Sequence, residues 1–443
     1  MKKNDRIIGV CEGYTFDGHG VVKVDGFPLF VKGILRGEEA EVIVTKLKKT
    51  YGFGKYVRLL KPSKERVEPT CPVAKQCGGC QLQHMSLAEQ RFFKKQKVED
   101  LMRRMANVSI PVEDVMSMQE PYFYRNKGQV PVQVQNKQVM TGFYRIHSNE
   151  IIDMEECQIQ SKVINDAVKV MRALLAKYPV ASYFRHLLIK HAFKSGEVMV
   201  VFIVKQRDIP KIKEVANELV SSIPNIKGVI LNVNTRSDNV ILGDKEYLLY
   251  GSEHILDSIH DLSFQISSKS FYQVNPIQTE VLYGKVLEYA DLKGTETVID
   301  LYCGVGTISM FLAQKAKSVI GIEIVPEAIE DAQINASLNG IENITFVCSD
   351  AATYAAKVSE EKKKVDVIVV DPPRKGCDMV TLESIAKMEP EKLIYVSCDP
   401  ATLARDMKVL ETLGFEAKII QPVDMFPHTY HVECVVLMTR VEK

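Results

Sequence analysis

The sequence predicts an α/β protein in three parts: a small β-barrel over residues 1–62, a β-rich middle over residues 63–264, and a doubly wound sheet over residues 265–443. Three observations carry that prediction. From about Gln278, the apolar runs "TVIDLY", "SVIGIEI", "ITFVCSD", "VDVIVVDPP" and "KLIYVSCD" alternate with segments of helical period. That is the pattern of parallel strands joined by crossover helices. Before residue 62, "GHGVVKVDGFPLFVKG", "EEAEVIVTKLKK" and "GFGKYVRLL" alternate apolar and polar residues between glycine turns, as short antiparallel strands do. Between 120 and 260, strand-like runs such as "GEVMVVFIV" outnumber two helical patterns, near Val163 to Ala176 and Ile212 to Val220.

Taken in order, the elements say more. Strands at the first spacing fit a five-stranded barrel of the OB type, a shape suited to RNA. Residues 2–66 carry 14 Lys/Arg against 8 Asp/Glu, an excess of +6 in a chain of net charge +1. A local positive surface favours a polyanion. "KPSKERVEP" reads as a linker and "SLAEQRFFKKQKVEDLMRRM" as a basic helix. "YFYRNKGQ" (122–129) and "GFYRIHS" (142–148) interleave aromatic rings with Arg125, Lys127 and Arg145, which suits stacking of splayed bases and phosphate contact. No apolar run approaches a membrane span, and "MKKNDRIIGV" has no secretory core. The expected setting is cytoplasmic, without a membrane.

"VIDLYCGVGTISMFLA" sets Asp300 at a strand end, with Gly304 and Gly306 in the turn before a helix starting near Thr307. Glycines let a ligand approach the backbone closely. A dinucleotide turn wants a third glycine, but Ser309 stands there. Glu323 ends the next strand, where a carboxylate accepts from ribose hydroxyls. Asp350 ends the third strand, placed for an adenine amino group, and Asp371 with Pro372 and Pro373 ends the fourth. Acids at successive strand ends suit a cationic amino-acid ligand better than a pyrophosphate. The pattern D-x-x-x-G-x-G resembles class I methyltransferases that bind S-adenosylmethionine. Arg374 replaces the aromatic residue that follows Asp-Pro-Pro in adenine amino-methylating enzymes, which argues against N-methylation.

Cys398 lies between the apolar run ending at Ser397 and a helix opened by Asp399-Pro400 and closed at Gly414. The helix N-terminus is expected to lower the thiol pKa, partly opposed by Asp399. A thiolate adding to C6 of uracil turns C5 into an enolate carbon that attacks a methyl group. The C5 proton must then leave. Glu433, between "FPHTYHV" and the apolar "CVVLM", is expected to be a buried carboxylate with a pKa raised toward neutrality, as that base requires.

Together "DPPRKG", "SCDP", "PHTYHVE" (427–433) and "FYQVN" (271–275) resemble the RNA uracil-5-methyltransferase family, over essentially the whole chain. The resemblance implies a class I, Rossmann-like methyltransferase domain with Cys398 as nucleophile and Glu433 as proton acceptor. It also implies that Gln273 contacts the donor or target region and that Tyr302 is a donor-contacting aromatic. The donor site is completed by Asp300, Gly304, Gly306, Glu323, Asp350 and Asp371.

Ten cysteines in a long cytosolic chain are not a disulfide framework. Cys71, Cys77 and Cys80 are clustered and Cys157 is remote. Four thiolates hold zinc or an iron–sulfur cluster, and three clustered ligands plus one remote favour the second. The ribosomal branch of the resembled family carries a [4Fe-4S] cluster at this spacing and an N-terminal TRAM barrel, whereas the transfer-RNA branch is taken to lack both. The resemblance therefore implies 23S ribosomal RNA as partner, S-adenosylmethionine and [4Fe-4S] as cofactors, and a monomer. The alternatives are a transfer-RNA substrate, a cytosine-5 methyltransferase, and a non-catalytic iron–sulfur RNA-binding sensor. The last needs neither Cys398 nor Glu433. Cys11, Cys303, Cys348, Cys377 and Cys434 read as packing residues.

Overall fold

The computed structural model describes residues 1–441. Strands Arg6–Tyr14, Gly20–Val24, Phe27–Val31, Glu39–Leu47 and Gly52–Lys61 close into a barrel. Their alternation turns Val22, Leu29, Val31, Ala40, Val42 and Val44 inward around Cys11, as a period of two dictates. The stretch after the barrel is not a loose linker. Arg66 forks onto the fully buried Glu38 through Nε and Nη2, each at 2.6 Å. Burial pushes the Glu38 carboxyl up, but Arg66 together with the Leu35 and Ser63 amides holds it below its usual range.

Helix Leu87–Leu101 is capped by Ser86, whose hydroxyl accepts from the Glu89 amide. Tyr14 donates to Glu89 at 2.6 Å and the Arg36 guanidinium covers the Phe92 ring, seating the barrel on this helix. Its basic sequence conceals a buried member. Lys94 is fully buried and donates from Nζ to Asp424 (2.5 Å) and to the Phe426 carbonyl (3.1 Å). The helix and the π-turn Met102–Ala106 share the core of the C-terminal sheet, and Val112 and Met116 bridge in parallel to Ile420 and Val423. A segment that sequence position groups with the middle of the chain thus packs on its end.

The middle sheet runs in the order Lys245–Gly251, Ile226–Val233, Val198–Val204, Phe184–His191, Lys127–Gln135, Gln138–Tyr144, Ile151–Asp153. Helices Lys162–Lys177 and Ile212–Ser222 form where the sequence pattern puts them. Val198–Val204 is apolar throughout because both faces are covered. Val198, Val200, Phe202 and Val204 meet the helices, while Met199, Val201 and Ile203 meet the hairpin His254–Ile259/Leu262–Ser267 and the C-terminal unit.

The C-terminal sheet has the order Ile344–Cys348, Ser318–Glu323, Thr297–Leu301, Val367–Val370, Lys392–Ser397, Glu433–Arg440, Phe415–Val423. The first five strands are parallel and the last two form an antiparallel hairpin. The strand Phe415–Val423, which the sequence reading does not include, contains Pro422. It is tolerated because this is the edge strand. The winding reverses between Thr297–Leu301 and Val367–Val370, which opens a crevice at their C-terminal ends. No helix among the described residues is long and apolar enough to cross a membrane.

Candidate active site

Asp300 is fully buried at the crevice floor. Its Oδ2 accepts from Ser309 Oγ at 2.5 Å, and Oδ1 has no partner. Tyr302 follows at φ 68°, a strained conformation for a residue with a side chain, and its ring neighbours Cys377 and Thr381. Gly304 (φ 56°) has open space where a Cβ would stand, so its backbone is accessible to a ligand. Gly306 (φ 79°) is the opposite case, since a Cβ there would meet Phe346 at 2.6 Å. Glu323 folds back over this turn, accepting from the amides of Gly304 (3.1 Å), Ile324 (2.8 Å) and Val325 (3.0 Å). Asp350 stands two strands away from Asp300. It caps helix Ala351–Glu360 by accepting from the Thr353 amide, and it is exposed.

Register brings the thiol and the carboxylate together. Ser397 pairs with Cys434, so one further step of the same ladder sets Cys398 opposite Glu433, on the same side of the sheet. Glu433 is buried, and burial, then the Asp371 charge, pushes its pKa up to about 8. Burial likewise raises Asp300 and Asp371 to about 7 each. None of the three is in a salt bridge among the described residues.

The Cys398 thiol departs from expectation. Burial first, then Glu433 and Asp371, push it up to about 11, with Arg374 opposing. At the start of the helix, Asp399 Oδ1 accepts from the Ala401 amide at 2.9 Å, and the Asp399 amide donates to Ser397 Oγ at 3.2 Å. The resting thiol is protonated at neutral pH.

Helix Pro276–Ala290 adds a residue that sequence pattern gives no reason to single out. The Tyr283 hydroxyl lies 3.5 Å from Thr307 Oγ1, and its pKa is raised by burial and by Asp371, Glu433 and Asp300. Gln273, buried just before this helix, has its carbonyl fixed by Asn126 Nδ2 at 2.9 Å. Behind Arg374, the loop after Pro373 is pinned by buried Asp406, which accepts from the Cys377 amide (2.8 Å), Tyr395 (2.6 Å) and Arg405 Nε (2.7 Å).

The profile of the tRNA (uracil-5-)-methyltransferase family matches residues 89–441, and that of the TRAM domain matches residues 12–57. The chain belongs to this uracil-5-methyltransferase family. An RNA methyltransferase of Bacillus cereus is 48% identical over 452 residues, covering 100% of this chain and 98% of the relative. One from Clostridium tetani is 46% identical over 447 residues, covering 99% and 97%. Among solved structures, the Pyrococcus abyssi tRNA (uracil-54, C5)-methyltransferase in complex with S-adenosyl-L-homocysteine is similar at a TM-score of 0.78 and 27% identity, covering 98% of this chain and 99% of that one. The barrel is a TRAM domain, and the C-terminal sheet belongs to an RNA methyltransferase.

Away from the crevice of this methyltransferase, Cys71, Cys77, Cys80 and Cys157 line one cavity of about 230 Å³, with Arg125 and Lys127 beside them. The Gly79 amide donates to Cys77 Sγ at 3.3 Å, Gln83 bonds Cys80, and the Ile159 and Gln160 amides bond Cys157. Burial raises the Cys77, Cys80 and Cys157 thiols. Among the described residues, no group of three or more His, Cys, Asp or Glu is arranged to hold a metal ion as it stands.

Part of the aromatic-basic segments is engaged within the protein. Arg145 bonds Gln76 and Glu150, and the cysteine loop pairs with its backbone. Tyr124 is fully buried and the Tyr122 ring packs on His428. Of their rings, Tyr124 is committed to the interior while Tyr144 stays exposed, and Arg125 and Lys127 line the cysteine cavity.

Proposed function

We propose that this enzyme transfers a methyl group from S-adenosylmethionine to C5 of one or more uridines in 23S ribosomal RNA, through covalent addition of Cys398. The supporting observation is that Cys398, one residue past the Ser397–Cys434 pair, feels the charge of buried Glu433 beside a crevice whose carboxyls have no cationic partner. Asp300, Asp371 and Glu433 together create a field that a sulfonium cation relieves. Gly304 and Gly306 shape the turn for the donor, Glu323 and Asp350 are assigned to its ribose and adenine ends, and Tyr302 and Gln273 to its flanks.

In the reaction, Cys398 first loses its thiol proton to solvent; the thiolate then adds to C6, and the displaced electron pair makes C5 an enolate carbon. C5 takes the methyl group, Glu433 takes the C5 proton, and the C6–S bond breaks to return the thiolate. The raised pKa of Glu433 matches it to that task. The donor's positive charge also favours the thiolate, which the resting crevice disfavours.

A pH effect follows, with a definite sign. Three carboxyls with pKa values of about 7 to 8 are partly protonated at neutrality, and a bound cation pulls those values down. Donor binding should therefore release protons and tighten as pH rises from about 6 to 8. Titration calorimetry in buffers of different ionisation enthalpy measures the release, and no buffer dependence would contradict it.

The four cysteines suit a [4Fe-4S] cluster: their sulfurs surround a cavity rather than a point, backbone amides donate to them, and Arg125 and Lys127 supply positive charge. Bound there, the cluster would tie the 71–80 loop to residue 157. Protein purified without oxygen should be brown, with about four irons per chain. A colourless protein with one zinc would overturn this assignment.

Ribosomal RNA is favoured by a basic barrel that extends the footprint beyond one small hairpin. A transfer-RNA substrate is the second reading. The Pyrococcus abyssi transfer-RNA enzyme covers 98% of this chain, so a barrel before the catalytic domain does not by itself mark a ribosomal enzyme. Mass-spectrometric mapping of RNA from a strain lacking the gene separates them. Loss of 5-methyluridine from one or two positions of large-subunit RNA, with transfer RNA unchanged, is expected. Loss confined to transfer RNA would refute the ribosomal assignment.

A further inference from the structure

The turn that leads into Glu433 is suspended from the walls of the cysteine cavity. His428 sits at φ 67°, and its carbonyl accepts from the amides of Gln81 and Leu82 at 2.9 Å each. Those residues directly follow Cys80. On the other side, Tyr124 donates from its hydroxyl to the Pro427 carbonyl at 3.1 Å, and the Tyr122 and His428 ring centroids are 4.8 Å apart. The backbone carrying these rings is itself bonded to the residues after Cys157: the Phe123 amide to the Gln158 carbonyl and the Arg125 amide to the Ile159 carbonyl, both at 2.9 Å. One residue further, Asn126 donates from Nδ2 to the Gln273 carbonyl and from its amide to the Val274 carbonyl, each at 2.9 Å.

A buried tyrosine hydroxyl and a buried asparagine, two residues apart, thus each hold a different active-site loop against one support. We propose that Tyr124 and Asn126 are positioning residues: Tyr124 sets the Pro427–Glu433 turn, Asn126 sets the Gln273 loop, and both refer those loops to the cysteine cavity. The inference rests on the reading of Glu433 as the proton acceptor. Its chemical content is that a base displaced by a fraction of an ångström removes the C5 proton slowly, so the methylated Cys398–C6 adduct persists.

Tyr124→Phe removes only the hydroxyl and keeps the ring packing. The test uses unmodified transcripts of ribosomal and transfer RNA with S-adenosylmethionine, run on denaturing gels. Tyr124→Phe should lower kcat about ten-fold with KM for RNA unchanged, and a protein–RNA band should accumulate. Thermal stability should fall only slightly, by the loss of one buried hydrogen bond, and donor affinity should match wild type. Hydrogen exchange should quicken over 426–433 in Tyr124→Phe and over 271–275 in Asn126→Ala. Turnover like wild type, or loss of activity without a band and in step with lost stability, would overturn the proposal. Cys398→Ala and Glu433→Gln run alongside: a band surviving Cys398→Ala, or none in Glu433→Gln, sinks the catalytic reading instead. The exchange data then still decide whether Tyr124 and Asn126 hold these loops.

Discussion

Cys398→Ala should reduce methyl transfer by at least about 10⁴-fold and abolish covalent capture of RNA carrying 5-fluorouridine at the target, with donor binding nearly unchanged. The thiol lies at the strand tip, while the glycine turn lies on strands beyond the winding reversal, so removing one sulfur leaves the donor pocket intact. Glu433→Gln should behave differently. It keeps the shape of a buried side chain but cannot take a proton, so ordinary RNA should be captured, methylated and released slowly. The amide also removes a negative charge that raises the Cys398 pKa, which favours adduct formation. Equal loss of adduct in both variants would contradict the assigned roles.

Asp424→Ala should destabilise the fold by about 3–5 kcal/mol, whereas Lys94→Met should cost far less. Burial pulls the Lys94 ammonium down and pushes the Asp424 carboxyl up, and each partner offsets the other. Without Asp424, the cation keeps only the Phe426 carbonyl in a site closed to water. Methionine fills the same volume and leaves a neutral-capable acid. Chemical denaturation measures both. A loss below about 1 kcal/mol for Asp424→Ala would show that the pair is not essential to helix docking.

Much of the architecture was legible because it is local. Gly306, the Asp399 cap and the strand-end acids each announce themselves within a few residues, and Cys398 and Glu433 were readable as the ends of two apolar runs. What was not legible is set by distant partners. Lys94 looks like any surface lysine until Asp424, 330 positions on, is folded onto it. "YFYRNKGQ" has the composition of a base-stacking strand, yet Tyr124 and Asn126 bond loops 303 and 147 residues away in sequence. The thiol pKa differs from its sequence reading for a related reason: burial and the charges of Glu433 and Asp371, which only the folded crevice brings to Cys398, push it up.

The unpaired carboxyls have a consequence for timing within the proposed cycle. While the donor is a sulfonium, its charge suppresses proton uptake by Glu433 and its neighbours and keeps the thiol ionised for attack. Methyl transfer turns that cation into a neutral thioether at a stroke. The crevice then regains its appetite for a proton at the moment when one on C5 must go, and Glu433 is the carboxyl beside the adduct. Left without a counter-ion of its own, the site takes its sequence of events from the charge of its donor.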